Sequence, residues 1–134
     1  MRKLSIEAYP ENYAVCRLAV DTEPPAGVFA ATGLVSVTRT EDELSIVCPE
    51  SVAPAGAQLT AGGWRRLTVH GPLEFSLTGI MAALSGALAE AGVSLFAVST
   101  YDTDHILVKQ SDLGRALEVL RAAGHEVTER NDAG

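Results

Sequence analysis

Positive charge is scarce in this chain of 134 residues, where 10 Lys and Arg stand against 17 Asp and Glu for a net charge of -7. Only Arg2-Lys3 and Arg65-Arg66 are adjacent basic pairs. With a pI of about 4.8 and no basic patch, nucleic acid and anionic membrane surfaces are excluded as partners. No stretch has the length and apolarity of a bilayer span, and Met1-Arg2-Lys3 leads into a short alternating run rather than a signal sequence's apolar segment. The expected location is cytoplasmic. Cysteine is rare too: Cys16 and Cys48 both sit in apolar, strand-like runs, as buried free thiols do, and neither has a Cys or His at metal-ligand spacing. No metal is expected. A glycine-rich phosphate loop with its lysine is missing, which removes nucleotide binding. So is any nucleophile elbow, and His70, His105 and His125 stand at no motif spacing. The chain therefore reads as a non-enzyme without a cofactor.

What is present is an ordinary globular composition, 47% hydrophobic and 20% charged, enough for one domain or two very small ones. Residues 4–9 and 13–20 are two strand candidates on either side of Pro10. Pro24-Pro25 leaves room for a turn or two of helix before Gly33. Residues 34–38 and 44–48 flank a polar turn and predict a hairpin. Pro49-Glu50-Ser51-Val52 opens a short helix that Pro54 stops. Residues 53–63, rich in Ala, Gly and Pro, read as an internal linker.

Beyond it, the pattern predicts a strand over 64–70, a helix over 78–91 ended by Gly92, and a hairpin from strands 94–100 and 105–109. A helix N-capped by Ser111 and stopped by Gly124 follows, then a strand over 125–128 and a frayed tail from Arg130. Strand, helix, strand, strand, helix, strand is the ferredoxin-like order, with both helices on one face of an antiparallel four-stranded sheet. Residues 37–47 align without a gap on 98–108, each copy a hairpin with an acidic turn, a match that shared hairpin chemistry explains almost as well as duplication. The fold class expected is α+β: two ferredoxin-like βαββαβ units, a degenerate one over 1–60 with shortened helices and a complete one over 61–130, then a tail over 131–134.

Between the strand ending at His70 and the next helix lies Gly71-Pro72-Leu73-Glu74-Phe75-Ser76-Leu77-Thr78-Gly79-Ile80. Unpartnered N–H groups and the helix dipole make such a start ready for a small anion, and Gly79 permits close approach to the main chain. The alternative is that Ser76 or Thr78 is merely an N-cap.

This stretch, with Ser99-Thr100-Tyr101-Asp102-Thr103-Asp104-His105-Ile106-Leu107-Val108-Lys109 and with residues 36–50, resembles the ACT-domain proteins of the branch related to the cytosolic arginine sensor. The resemblance covers nearly the whole chain. It implies paired ACT-like units that bind a free amino acid at their interface and regulate a protein partner. By position it implies backbone donors for a carboxylate at Leu77, Thr78, Gly79 and Ile80. Ser99, Thr100, Tyr101, Asp102, Thr103 and Asp104 would line the same cleft, with Asp102 or Asp104 toward the ammonium, and Ser36 and Thr38 would close it. Leu34-Val35 and His105 depart from the family's frequent aromatics, which leaves the pocket's size open. Asp102 and Asp104 are equally readable as turn formers, and His70 as an exposed strand end.

Two functional classes lead over a third, an enzyme of unrecognised type: a sensor of free amino acids, or a structural interaction module on the same fold. Exposed edge strands in the shorter unit favour a homodimer under either.

Overall fold

A computed structural model describes residues 4–70 and 77–132, the side chains of 77, 78 and 80 excepted. The elements in order are β1 (Ser5–Leu18), α1 (Ala26–Phe29), β2 (Ser36–Arg39), β3 (Leu44–Pro49), β4 (Leu59–His70), α2 (Leu77–Glu90), β5 (Leu95–Ser99), β6 (Asp104–Lys109), α3 (Leu113–Ala122) and β7 (Glu126–Glu129). Short 3-10 turns occupy Glu50–Val52 and Gln110–Asp112. Both predicted hairpins and both long helices are present. Gly92 and Gly124 follow α2 and α3 with φ of 72° and 96°, the left-handed conformation that ends a helix.

The strands form one seven-stranded sheet in the order β2-β3-β1-β4-β6-β5, with β7 also against β1. The α+β class expected from the sequence holds. The late half of β1, then β2, β3 and the early half of β4 lie in the order β4-β1-β3-β2, that of a ferredoxin-like unit whose helices have shrunk to α1 and a 3-10 turn. The later elements repeat the pattern with one difference. β7 does not pair with β4 to complete a four-stranded sheet. The early half of β1 lies between them, antiparallel to β4 (Ile6 opposite Val69) and parallel to β7 (Ile6 opposite Val127).

The two strands expected around Pro10 are thus one strand. Its register against β4 shifts between Ala8 and Asn12, a bulge that accommodates the proline's missing N–H. The expected linker is likewise shorter, because β4 begins at Leu59 and its Gly62-Gly63 pair is a second bulge, opposite Ala14. Gly63 has φ 73° and donates its N–H to Glu50 Oε2 at 2.5 Å. Ser111 lies within the 3-10 turn, and Asp112 holds the N-cap position of α3 without a side-chain capping bond. Arg130 is not frayed: its N–H donates to Ala8 O at 2.7 Å and its guanidinium reaches Glu7 Oε2 at 2.8 Å.

The two bulges set which side chains share a face. The extra residue at Gly62-Gly63 lets Thr60, opposite Cys16, face the same side as Leu67, opposite Ala8, despite their odd separation. One face therefore carries two cores. Leu4, Ile6, Leu67, Ile106 and Val108 pack with Leu84, Leu88, Leu117 and Leu120 of α2 and α3; Ala14, Cys16, Ile46 and Cys48 pack with Val28 of α1. The opposite, helix-free face gathers Tyr13, Leu34, Val47 and Leu107, with Val15, Trp64, Phe96 and Val98 against them. Residues from β3 and from β5, near opposite ends of the sheet, meet in this cluster, so the sheet curls around it.

Candidate functional site

The curl leaves a cleft of about 450 Å³ between the β2–β3 hairpin and β5. Val47, Phe96 and Val98 give it an apolar floor, and Ser36, Thr38 and Ser45 set hydroxyls along one wall. Thr40 and Glu43 complete that wall, and Ala97 and Ser99 belong to the other. β2 and β5 are the outermost strands of the sheet path, each with a strand neighbour on one side only among the described residues. Main-chain donors and acceptors therefore border the cleft from both sides. Glu43 lies 3.5 Å from Arg17 Nη1 with both side chains partly exposed, a geometry of small energetic weight that leaves the carboxylate open to exchange partners. Apolar floor, hydroxyl wall, one carboxylate and two strand edges together suit a small molecule carrying both charges.

Of the residues singled out in the sequence, Ser36 and Thr38 turn their side chains to this cleft, and Ser99 borders it along the β5 edge with its side chain on the face of Asp104. Thr100 and Thr103 instead build the β5–β6 turn: Thr100 N–H donates to Thr103 O at 2.9 Å, and the two hydroxyls are 2.8 Å apart. Tyr101 and Asp102 point to solvent at the tip of the turn. Asp104 is buried, and since Val69, Asp104 and Ser99 stand across from one another, it shares the face of Val69, beneath the helices. Leu77, Thr78, Gly79 and Ile80 form the start of α2, with Gly79 half-buried; residues 71–76 of the proposed anion loop lie outside the described residues. Glu43, Ser45, Val47, Phe96 and Val98 were missed. Their signal was the alternation within the two hairpins, which puts Ser45 with Val47 and Phe96 with Val98 on one face.

Next to the cleft floor runs a buried polar row. Arg66 is 6% exposed, its guanidinium carbon 3.8 Å from the centroid of the Tyr9 ring and 5.6 Å from that of Tyr13. Arg66 Nη1 donates to Thr68 Oγ1 at 3.3 Å, Thr68 Oγ1 is 3.0 Å from His105 Nδ1, and His105 Nε2 is 2.9 Å from Thr103 Oγ1. Burial, with the Arg66 charge next, pushes the pKa of His105 down to about 4. His125 is buried, accepts the Leu4 N–H on Nδ1 at 3.1 Å, and is also shifted down by burial. His70 is the exposed strand end, 2.7 Å from Glu7 Oε1. Cys16 and Cys48 are free and buried, and desolvation, then the neighbouring Cys16, raises Cys48 to about 11, far from a reactive thiolate. No group of three or more potential metal ligands occurs, and no helix is long and apolar enough to cross a membrane, among the described residues.

Residues 60–122 match the family model of the ACT domain, and a second model, described as an N-terminal domain, matches residues 11–55. The human protein named cytosolic arginine sensor for mTORC1 subunit 1 is 34% identical over 106 residues. This chain belongs to the ACT-domain family. Its match takes in 74% of this ACT-domain protein and 31% of the human sensor, so the chain spans about a third of that relative's length. An Agrobacterium tumefaciens protein of known crystal structure is 33% identical to the ACT-domain chain, covering 100% of it and 98% of its own length with a TM-score of 0.89. The ligand-free regulatory subunit of aspartate kinase from Thermus thermophilus shares the fold at a TM-score of 0.60 and 12% identity, over 84% of this chain and 93% of its own.

Proposed function

We propose that this chain is a regulatory protein that binds a free amino acid in the cleft between the β2–β3 hairpin and β5, and that it is not an enzyme. The observation that carries the reading is the composition of the cleft. A ligand with an ammonium and a carboxylate needs an acceptor and a donor set held apart by a small distance. Glu43 and the strand carbonyls are acceptors; the hydroxyls of Ser36, Thr38 and Ser45, with strand N–H groups, are donors. The apolar floor of Val47, Phe96 and Val98 would take a side chain. Kinship with a protein named as an arginine sensor, and a fold shared with a kinase regulatory subunit, support regulation through amino-acid binding.

A ligand that binds only the folded form raises the unfolding midpoint once its concentration exceeds the dissociation constant. A thermal-shift screen of free amino acids is therefore the direct test, with Val98→Trp as a cleft-filling variant. The expected result is a shift for one chemical class of amino acid, lost in Val98→Trp. A shift that survives Val98→Trp but is abolished by Gly79→Leu would move the site to the start of α2. The edges of β2 and β5, without a second strand among the described residues, favour a second reading, an interaction module that pairs strands with a copy of itself or a regulated partner. That reading predicts association without any thermal response to amino acids.

A further inference from the structure

We infer that Thr68 and His105 are positioning residues for the cleft: with Arg66 they form a one-way hydrogen-bond chain that holds the β5–β6 turn against the β5 wall. A guanidinium has donors and no acceptor, so Arg66 Nη1 must give its hydrogen to Thr68 Oγ1. The Thr68 residue is 3% exposed, and its own hydroxyl hydrogen must find a buried acceptor; His105 Nδ1, at 3.0 Å, is that acceptor. With Nδ1 accepting, the ring hydrogen of neutral His105 sits on Nε2 and is donated to Thr103 Oγ1 at 2.9 Å. Thr103 can then pass its hydrogen to Thr100 Oγ1 at 2.8 Å, and Thr100 donates to Thr103 O at 3.0 Å, where the chain ends. Every hydrogen points the same way because the first donor cannot reverse.

The other end of the chain touches the opposite wall. Arg66 lies over the rings of Tyr9 and Tyr13, and the Tyr13 hydroxyl accepts the Leu34 N–H at 3.0 Å, just ahead of β2. One buried cation thus lies between the lead-in to the β2 wall and the turn that closes the β5 wall. The chain leaves Tyr101 and Asp102 at the tip of that turn exposed.

The role assigned to Thr68 rests on the amino-acid reading of the cleft, and the test separates the two. Nitrogen chemical shifts of the His105 ring in the intact protein should show the neutral Nε2–H tautomer at neutral pH. In Thr68→Val, which keeps the shape of the side chain, that preference should relax toward a mixture. Amide exchange at Thr100 should accelerate about tenfold, as expected for one lost hydrogen bond, while the Ile106 amide in β6 stays as protected as before. An Nδ1–H tautomer in the parent protein, or an unchanged Thr100 amide in the variant, overturns the chain. Thr103→Val, at the half-buried outer end, should give the same local acceleration without touching the core. For the amino acid that the screen returns, both variants should weaken binding by about tenfold; full affinity with a loosened turn would leave the chain structural and refute its positioning role. Should no amino acid bind the parent, the cleft reading and the role resting on it fall together, and the tautomer and exchange results still judge the chain.

Discussion

Gly33 has little freedom to change. Its φ is 99°, and a Cβ built there would stand 2.5 Å from the Tyr13 hydroxyl, the group that fixes Leu34. Gly33→Ala combines a left-handed backbone with a clash, and should cost about 1–3 kcal/mol in urea unfolding. His105 makes a second residue-scale prediction. Its folded pKa of about 4 lies below the ordinary 6.5, so the unfolded chain binds the proton first. Its contribution is therefore complete above pH 6.5 and drains away as pH falls toward 4, by at most about 3 kcal/mol. Arg66 and His70 push in the same direction, and Asp104 opposes them. Glu7, lowered chiefly by its hydrogen bond to Arg130, adds stability above its unfolded value of 4.5 that is lost on further acidification. Urea midpoints at pH 7.5, 6 and 5 should fall in that order, and His105→Phe should flatten the slope. A parent midpoint that held constant from 7.5 to 5 would contradict the assignment.

At the scale of the elements, α2 and α3 were readable because each combines an apolar face with a glycine stop, and both hairpins because two alternating runs flank a polar turn. β4 was harder to see. Its first half, Leu59-Thr60-Ala61-Gly62-Gly63, has the composition of a linker, yet it pairs with β1. Those glycines serve the bulge: Gly63 takes φ 73° and gives its N–H to Glu50, and a side chain at Gly62 would collide with the same carboxylate. Glu50→Ala should cost about 1 kcal/mol, the value of one hydrogen bond to a charged acceptor at an exposed site. Gly63→Val should cost more, because a β-branched residue is poorly tolerated at positive φ. Thermal melts of both variants check the order.

Across the whole molecule, β1 and β4 each run through both ferredoxin-like arrangements, and this joins what the repeat in the sequence suggested were two units. A fragment of residues 61–134 would lack the β1 segment that lies between β4 and β7 and would expose Leu67, Val69 and Ile106. We expect that fragment to show no cooperative calorimetric transition, whereas the intact chain unfolds in one. A sharp transition in the fragment would mean that β7 can close directly onto β4. The cleft belongs to the same scale: its walls come from β2–β3 and from β5, and it exists only because the shared strands curl the sheet.

Taken by itself, the sequence determined the α+β class, the two hairpins, the helix stops at Gly92 and Gly124, and the burial of both thiols. These follow from periodicity and turn chemistry within a few residues. Ser36, Thr38 and Ser99 were reached through family resemblance, and the alternation in β3 and in β5 pairs Ser45 with Val47 and Phe96 with Val98 without saying that the two pairs share a side. Only the tertiary structure decided that residues 5–18 are one strand, that β1 parts β7 from β4, and that β3 and β5 face each other across a cleft. A strand's alternation fixes which side chains share a face but leaves its neighbour open, since any edge offers the same main-chain donors and acceptors. That choice is made by contacts far apart in the chain, once the helices have covered one side and the other has closed on Tyr13, Val47 and Leu107.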